Sequence, residues 1–501
     1  MVSMRTLSLT VLVFAMVGCK SVGPDFKPPQ EPTPPSYAGV PHATDDRSPL
    51  PVAQQEPASF WWQQFHDPAL DHLEEETVAG NLNLKAAYLR IVEARTQIQS
   101  ARAQGLPSLD ASASYEREQL GVAGILKAEG GIPAAAATSP TAQSLISTLE
   151  APVNIYQIGF DASWEIDLFG KVRRSVEAAK AQSDQAVESR NDLLVSLEAE
   201  VAQTYLQLRA AQMLRQITMN LIADQQQVTD LTTNRQQHGL TGEADVQSAR
   251  AQLANLQSQL PPFDQSIATS RHALAVLTGK SPTDMDAAFG DTGELPALPG
   301  GVPVGLPSTL ARRRPDIRNA EAALHMATAE VGVSVASLYP DISLAGTYGL
   351  RNTKTGYLFD WASHFYTFGP TVSLPIFQGG ALIANVRLSK ARAAEAALTY
   401  RQTVLSALQD VEDGLSNLHE DARRSAALTL AVEADQHALD IDLNSYNHGL
   451  VTYITVLTQQ LQTVQARQQL AQAMLTQSTD LVKLYKALGG GWESAPNAAA
   501  N

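Results

Sequence analysis

NLKAAYLRIVEARTQIQSARAQGLPSLDASASY, residues 83–115, returns 233 positions later as DIRNAEAALHMATAEVGVSVASLYPDISLAGTY, residues 316–348. Ala87 then lies over Ala320, Pro107 over Pro340 and Tyr115 over Tyr348. From Trp164 onward the best offset becomes 210, pairing Val201 with Val411, His238-Gly239-Leu240 with His448-Gly449-Leu450, Val246 with Val456 and Gly279 with Gly489. The change of offset places a 23-residue insertion in the first copy, between Tyr115 and Trp164. Matches that keep their order over such a span mark a tandem duplication. One architecture is therefore built twice, over residues 69–290 and 291–490, with 491–501 expected as a flexible C-terminal tail.

Each copy opens with a helical segment that stops at its proline, and strict alternation follows. Leu109, Ala111, Ala113 and Tyr115 point one way, while Ser108, Asp110, Ser112 and Ser114 point the other. Ile158, Phe160 and Ala162 alternate in the same way with Gln157, Asp161 and Ser163. In the second copy Ile342, Leu344 and Tyr348, then Tyr366, Phe368, Val372 and Leu374, repeat the pattern. Four strands are predicted, at about 107–117, 154–168, 340–351 and 366–376, forming two hairpins. A half-buried sheet in a soluble sandwich has the same period. The aromatic residues crowding the strand ends and the second hairpin loop, including Tyr115, Tyr156, Trp164, Tyr348, Tyr357, Phe359 and Trp361, favour a membrane barrel with interfacial girdles.

The period then changes. Lys171 to His238 is a run of 68 residues without glycine or proline, and Ala381 to His448 has only Gly414 as an interruption. At 1.5 Å per residue each gives a helix on the order of 100 Å long, which belongs in an extended bundle or tube. Apolar residues recur at spacings of three and four, as in Leu194, Leu197 and Val201. An extended soluble coiled coil would explain these helices but leaves the strands unexplained. Return helices are expected at about 243–278 and 453–488, and pre-strand helices at about 69–105 and 308–338. Pro261 and Pro262 should break or kink the first return helix, where the second copy has Ala471 and Gln472.

The formal net charge is −15, the wrong sign for a phosphate backbone, so no nucleic-acid partner is expected. At the N-terminus Arg5 precedes an apolar run from Leu7 to Val17, too short for a bilayer span and suited to a signal peptide over residues 1–18. Gly18 then precedes Cys19, the only cysteine, as in a lipobox, and Cys19 is the expected lipidation site. Ordinary cleavage nearby, with a free thiol, is the bland alternative. Residues 19–68 read as a lipidated proline-rich arm. Lys20 stands where an inner-membrane retention signal would place aspartate, so the expected destination is the outer membrane.

Candidate chemistry is absent. Gly279-Lys280-Ser281 lacks the glycine that a phosphate loop needs five residues earlier, since that position is Leu274. Glu74-Glu75-Glu76 are consecutive carboxylates that diverge around a helix, which favours a solvated face over a metal site. The sequence has neither a His-Glu-x-x-His pair nor a Gly-x-Ser-x-Gly elbow. No enzyme activity, metal or cofactor is expected beyond the covalent lipid on Cys19.

Several motifs carry a resemblance. They are Cys19 to Pro28 (CKSVGPDFKP), Trp61-Trp62 with Phe65, Asp67-Pro68 and Leu70, and Trp164 to Lys171 (WEIDLFGK). Leu306-Pro307-Ser308 with Arg313-Arg314-Pro315-Asp316-Ile317 and Glu321, and Leu374-Pro375-Ile376-Phe377 with Gly379-Gly380, belong with them. In this order the chain resembles the TolC-type outer-membrane efflux proteins, in their lipoprotein (NodT or OprM-like) branch. The resemblance implies a mainly α fold with a membrane β-barrel, assembled as a homotrimer with a shared 12-stranded barrel and an α-helical periplasmic tunnel. It further implies passive export of drugs or other small toxic solutes, with a periplasmic adaptor (membrane fusion protein) and an inner-membrane efflux pump of RND type as partners. The alternatives are a type I polypeptide-secretion conduit and a non-transporting periplasmic scaffold or adhesin.

The resemblance also places a periplasmic gate at the far ends of the long hairpins, in the turns His238 to Asp245 and His448 to Thr458. Asp245 and Tyr446 resemble members of the family's closing network. The familiar arginine partner is replaced by Val451, and the acidic constriction positions are Thr455 and Thr458. Apolar packing at Leu240, Leu450 and Val451 is therefore the competing means of closure. Gly239 and Gly449 are the expected tip turns, where positive φ reverses the chain.

Overall fold

The computed structural model describes residues 21–29, 32–38, 52–53, 55–56, 58–119, 140–141, 144, 151–286, 289–290 and 292–494. The signal peptide, Cys19 and most of the 23-residue insertion lie outside the described residues. In chain order the main elements are α1 (Pro68–Gly80), α2 (Leu82–Ala103), β1 (Ser108–Glu118), β2 (Val153–Glu165), α3 (Lys171–Gln237), α4 (Glu243–Gln257) and α5 (Leu260–Leu277). The second copy supplies α6 (Pro307–Arg313), α7 (Pro315–Ala336), β3 (Asp341–Asn352), β4 (His364–Ser373), α8 (Ala381–Asn447) and α9 (Tyr453–Ala487). The architecture is duplicated, with a helical segment, a β-hairpin and a long helical hairpin in each half.

Two compact units result. The first comprises residues up to Lys27, Arg95–Ala181 and His325–Ala394. At its centre is one antiparallel sheet in the order β1-β2-β3-β4, so the two hairpins are joined through β2 and β3. The register places Ala111, Phe160, Tyr348 and Tyr366 in one row across the sheet, and Asp110, Asp161, Thr347 and Thr367 in the next. Because successive side chains alternate in face, the first row is apolar and the second polar.

The same unit explains the first strand-to-helix motif. Lys171 Nζ lies 3.1 Å from Glu165 and 3.6 Å from Asp341, tying the first residue of α3 to the ends of β2 and β3. Asp167 accepts from the Arg173 backbone N–H at 3.0 Å, satisfying one of the donors that a helix start leaves free. Among the described residues, no helix is long and apolar enough to cross a membrane.

The second unit comprises Pro28–Ala94, Gln182–Leu324 and residues from Glu395 onward. Trp61, Trp62 and Phe65, in a short 3-10 turn, are buried with Leu70, Leu194, Tyr205, Val411 and Tyr485. Trp61 stacks on Tyr485 at 5.2 Å. Asp67 caps α1 by accepting from the Ala69 N–H at 3.0 Å, with Pro68 at the first helical position.

Three boundaries differ from the sequence reading. The segment expected as one helix over 69–105 is split at Asn81, whose side chain accepts from the Leu84 N–H and donates to the Leu277 carbonyl. The segment over 308–338 is split at Arg314, held extended by the proline that follows it. Trp492, expected within a C-terminal tail, instead packs against the core and donates its indole N–H to the Arg313 carbonyl at 2.8 Å. The first return helix breaks at Ser258-Gln259, with Pro261 and Pro262 in the opening turn of α5, whereas α9 is continuous. A proline in the first turn loses no helical hydrogen bond, so the break falls ahead of the pair.

Candidate functional site

Two regions are candidates for function, one in each unit. The first is the sheet of the first unit. On its polar face Asp161 accepts from Ser112 Oγ and from Thr347 Oγ1, each at 2.9 Å, which joins β1, β2 and β3 side by side. Arg351 donates to Gln157 Oε1 at 2.6 Å and lies 4.8 Å from the Phe365 ring. The opposite face presents Leu109, Ile158, Phe160, Tyr348, Tyr366, Phe368 and Val372, all exposed. Among the described residues, the outer edges of β1 and β4 have no strand beside them.

The second region is the pair of helical turns in the second unit. Both turns are built alike. Gly239 N–H bonds to the Gln236 carbonyl and Leu240 N–H to that of Arg235; Gly449 and Leu450 repeat this with Tyr446 and Ser445. Gly239 and Gly449 have φ of 70° and 75°, the left-handed conformation that glycine adopts without steric cost. His238 and His448 each place Nδ1 2.8 Å from the carbonyl of Asn234 and Asn444.

Beneath the turns a small apolar cluster joins all four helices: Val228 of α3, Ala249 of α4, Leu439 and Tyr446 of α8, and Tyr453 and Val456 of α9. Gln225 donates to both the Ala249 carbonyl and the Tyr453 hydroxyl, at 3.1 and 3.2 Å. Burial pushes the Tyr453 hydroxyl above its ordinary pKa.

The residues singled out from sequence are distributed unevenly here. Tyr446 is buried in the cluster, and Val451 packs at its margin. Leu240 and Leu450 are exposed, outside that packing. Thr455 and Thr458 bond within their own helix turn, to Thr452 and to the Ile454 carbonyl. Asp245 accepts from Thr241 in its own turn rather than from Tyr446. Sequence reasoning missed Arg235, whose guanidinium lies 4.6 Å from the Tyr446 ring. The repeat does not single it out, since Arg235, Gln236 and Gln237 all differ from their counterparts Ser445, Tyr446 and Asn447.

A sequence model of outer membrane efflux proteins matches residues 73–280 and 306–490, covering both copies. The chain belongs to the outer membrane efflux protein family. A relative described as the probable efflux pump outer membrane protein TtgC of Pseudomonas putida is 30% identical over 97% of this chain and 95% of its own length. The pyoverdine export outer membrane protein OpmQ of Pseudomonas putida is 32% identical over 98% of both chains. Among solved structures, the outer-membrane channel OprN superposes with a TM-score of 0.82 at 30% identity, covering 94% of this chain and 99% of that one. As an outer membrane efflux protein, the chain serves transport at the outer membrane, and its fold is that of the TolC-like channels.

Proposed function

We propose that three copies of this efflux protein close one 12-stranded barrel and conduct small toxic solutes, drugs among them, outward from a periplasmic adaptor and an inner-membrane pump of RND type. The observation that carries the reading is the four-stranded sheet with one apolar face and two unpaired edges. Open edges are not tolerated in lipid, and four strands are too few to close on themselves. Three copies meeting edge to edge satisfy every strand. The apolar row then meets lipid and the Asp161 row lines water.

The relatives' names favour small solutes over polypeptides, since they refer to toluene, solvent, antibiotic and pyoverdine export. Acylation of Cys19 adds an anchor to the barrel's own insertion. The helical turns at Gly239 and Gly449 form the closed periplasmic end, with Asp245, Tyr446 and the neighbouring turn residues at its rim. Deleting the gene in its host and following retention of a fluorescent cationic dye tests the function. Increased retention, reversed by the wild-type chain, is expected. Unchanged retention and drug susceptibility, with loss of a secreted polypeptide instead, would favour a secretion conduit.

A further inference from the structure

The two helical turns share Asn234, His238, Gly239 and Leu240 with Asn444, His448, Gly449 and Leu450, and differ between them at positions 235–237 and 445–447. Arg235 stands in the last turn of α3, and its counterpart in α8 is Ser445. Its Nη1 donates to the backbone carbonyl of Tyr446 at 2.9 Å, and its guanidinium lies over the Tyr446 ring. Tyr446 belongs to the last turn of α8, where carbonyls lack helical partners and the helix dipole presents its negative end. A cation is favoured there, and more so where it also meets an aromatic face away from water. The same carbonyl also accepts from Gly449 N–H at 2.9 Å, so Arg235 is bonded to the carbonyl that shapes the second turn.

Tyr446 is 3% exposed, yet among the described residues of one copy its hydroxyl has no hydrogen-bond partner. The phenol oxygen therefore does not hold the tip. Asp245 is occupied by Thr241 within its own turn.

We propose that Arg235 is the latch tying the tip of the first helical hairpin to that of the second within one copy of the chain. It works through a backbone carbonyl and an aromatic face, neither of which is removed by deleting the Tyr446 hydroxyl. The role normally sought in an arginine of the second turn, where this chain has Val451, is thereby supplied from the first hairpin. The inference rests on the reading of these turns as the closed end of a channel.

The test is single-channel recording of the purified full chain in planar bilayers, comparing wild type, Arg235→Gln, Arg235→Lys and Tyr446→Phe. Retention of the heat-resistant oligomer on gels serves as the control for assembly. Arg235→Gln is expected to raise unitary conductance several-fold. Arg235→Lys, which keeps the charge but loses the planar stack, should fall between Gln and wild type, and it gives the answer if the Gln variant does not assemble. Tyr446→Phe, which keeps both the ring and the carbonyl, should rise less than Arg235→Gln. Wild-type conductance in assembled Arg235 variants overturns the latch while leaving the channel standing, and so does a rise in Tyr446→Phe equal to that of Arg235→Gln. A membrane-inserted wild type and variants that pass no current at all overturn the channel reading and the latch with it.

Discussion

Arg174 Nη2 lies 2.6 Å from Asp25 Oδ1, joining the first turn of α3 to the N-terminal arm. The Arg174 side chain is only 5% exposed, and it also donates to the Val22 carbonyl and to Glu177. Phe26 stacks on His325 of α7 at 4.3 Å, and His325 in turn meets Glu177 at 3.0 Å. The arm is thus pinned by one buried guanidinium and one ring stack. Arg174→Met removes the hydrogen bonds and should cost the arm about 1–2 kcal/mol, below the usual range of about 1.5–3 for bonds to charged groups because Asp25 is largely exposed. Amide exchange at Val22, whose N–H bonds to the Phe169 carbonyl, should then speed up roughly 5–30-fold. Unchanged exchange would mean that the ring stack and the Val22–Phe169 backbone bond hold the arm without the guanidinium.

Glu74, expected on a solvated face, is instead buried completely, in α1 beside Leu70 and Leu73, and among the described residues neither carboxylate oxygen has a hydrogen-bond partner. Burial, and after it the charge of Glu198, holds its carboxyl well above the usual range. The fold therefore favours the protonated form. Stability from this group is complete below the ordinary glutamate pKa and is lost as pH rises through the raised value. Glu74→Met should stabilise the protein at neutral pH by on the order of 1–3 kcal/mol, because it removes buried polar atoms without partners. The gain should shrink in acid. Melting temperatures of both proteins across pH 4 to 8 check this, and a gain independent of pH would show that the carboxyl is not titrating in that window.

The register assigns Leu344 and Ser343 to opposite faces of the sheet, Leu344 paired with Pro370 and Ser343 with Thr371. An arginine at Leu344 would meet lipid, at a cost of about 2–4 kcal/mol near mid-bilayer. At Ser343 it would face water beside Glu165, its partner across the β2–β3 ladder. Leu344→Arg should lose heat-resistant oligomer, whereas Ser343→Arg should keep it. Equal losses would reverse or abolish the assignment of faces.

Much of this was legible in the sequence because it depends on repeated or periodic residues. Pro107 and Pro340 announce the strands, and the glycine-free run after Lys171 announces α3, observed over Lys171–Gln237. Breaks made by single contacts were harder to see. Asn81 interrupts the pre-strand helix by capping its second half and bonding across to Leu277, and that distant partner has no local signature. The break at Arg314 was in principle readable from Pro315, but the proline also fits a helix start, which it turned out to be. Arg235 was hidden for a different reason. Its partner is a backbone carbonyl 211 residues away, and no side-chain pattern records such a bond.

The central claim is that the assembled chain is a passive water-filled conduit. Ion current through the purified wild-type protein in planar bilayers, with neither nucleotide nor a partner pump present, measures it most directly. Discrete unitary steps that scale with salt concentration and persist without an energy source are predicted. A stably inserted, heat-resistant oligomer that passes no current over the whole voltage range would contradict the account.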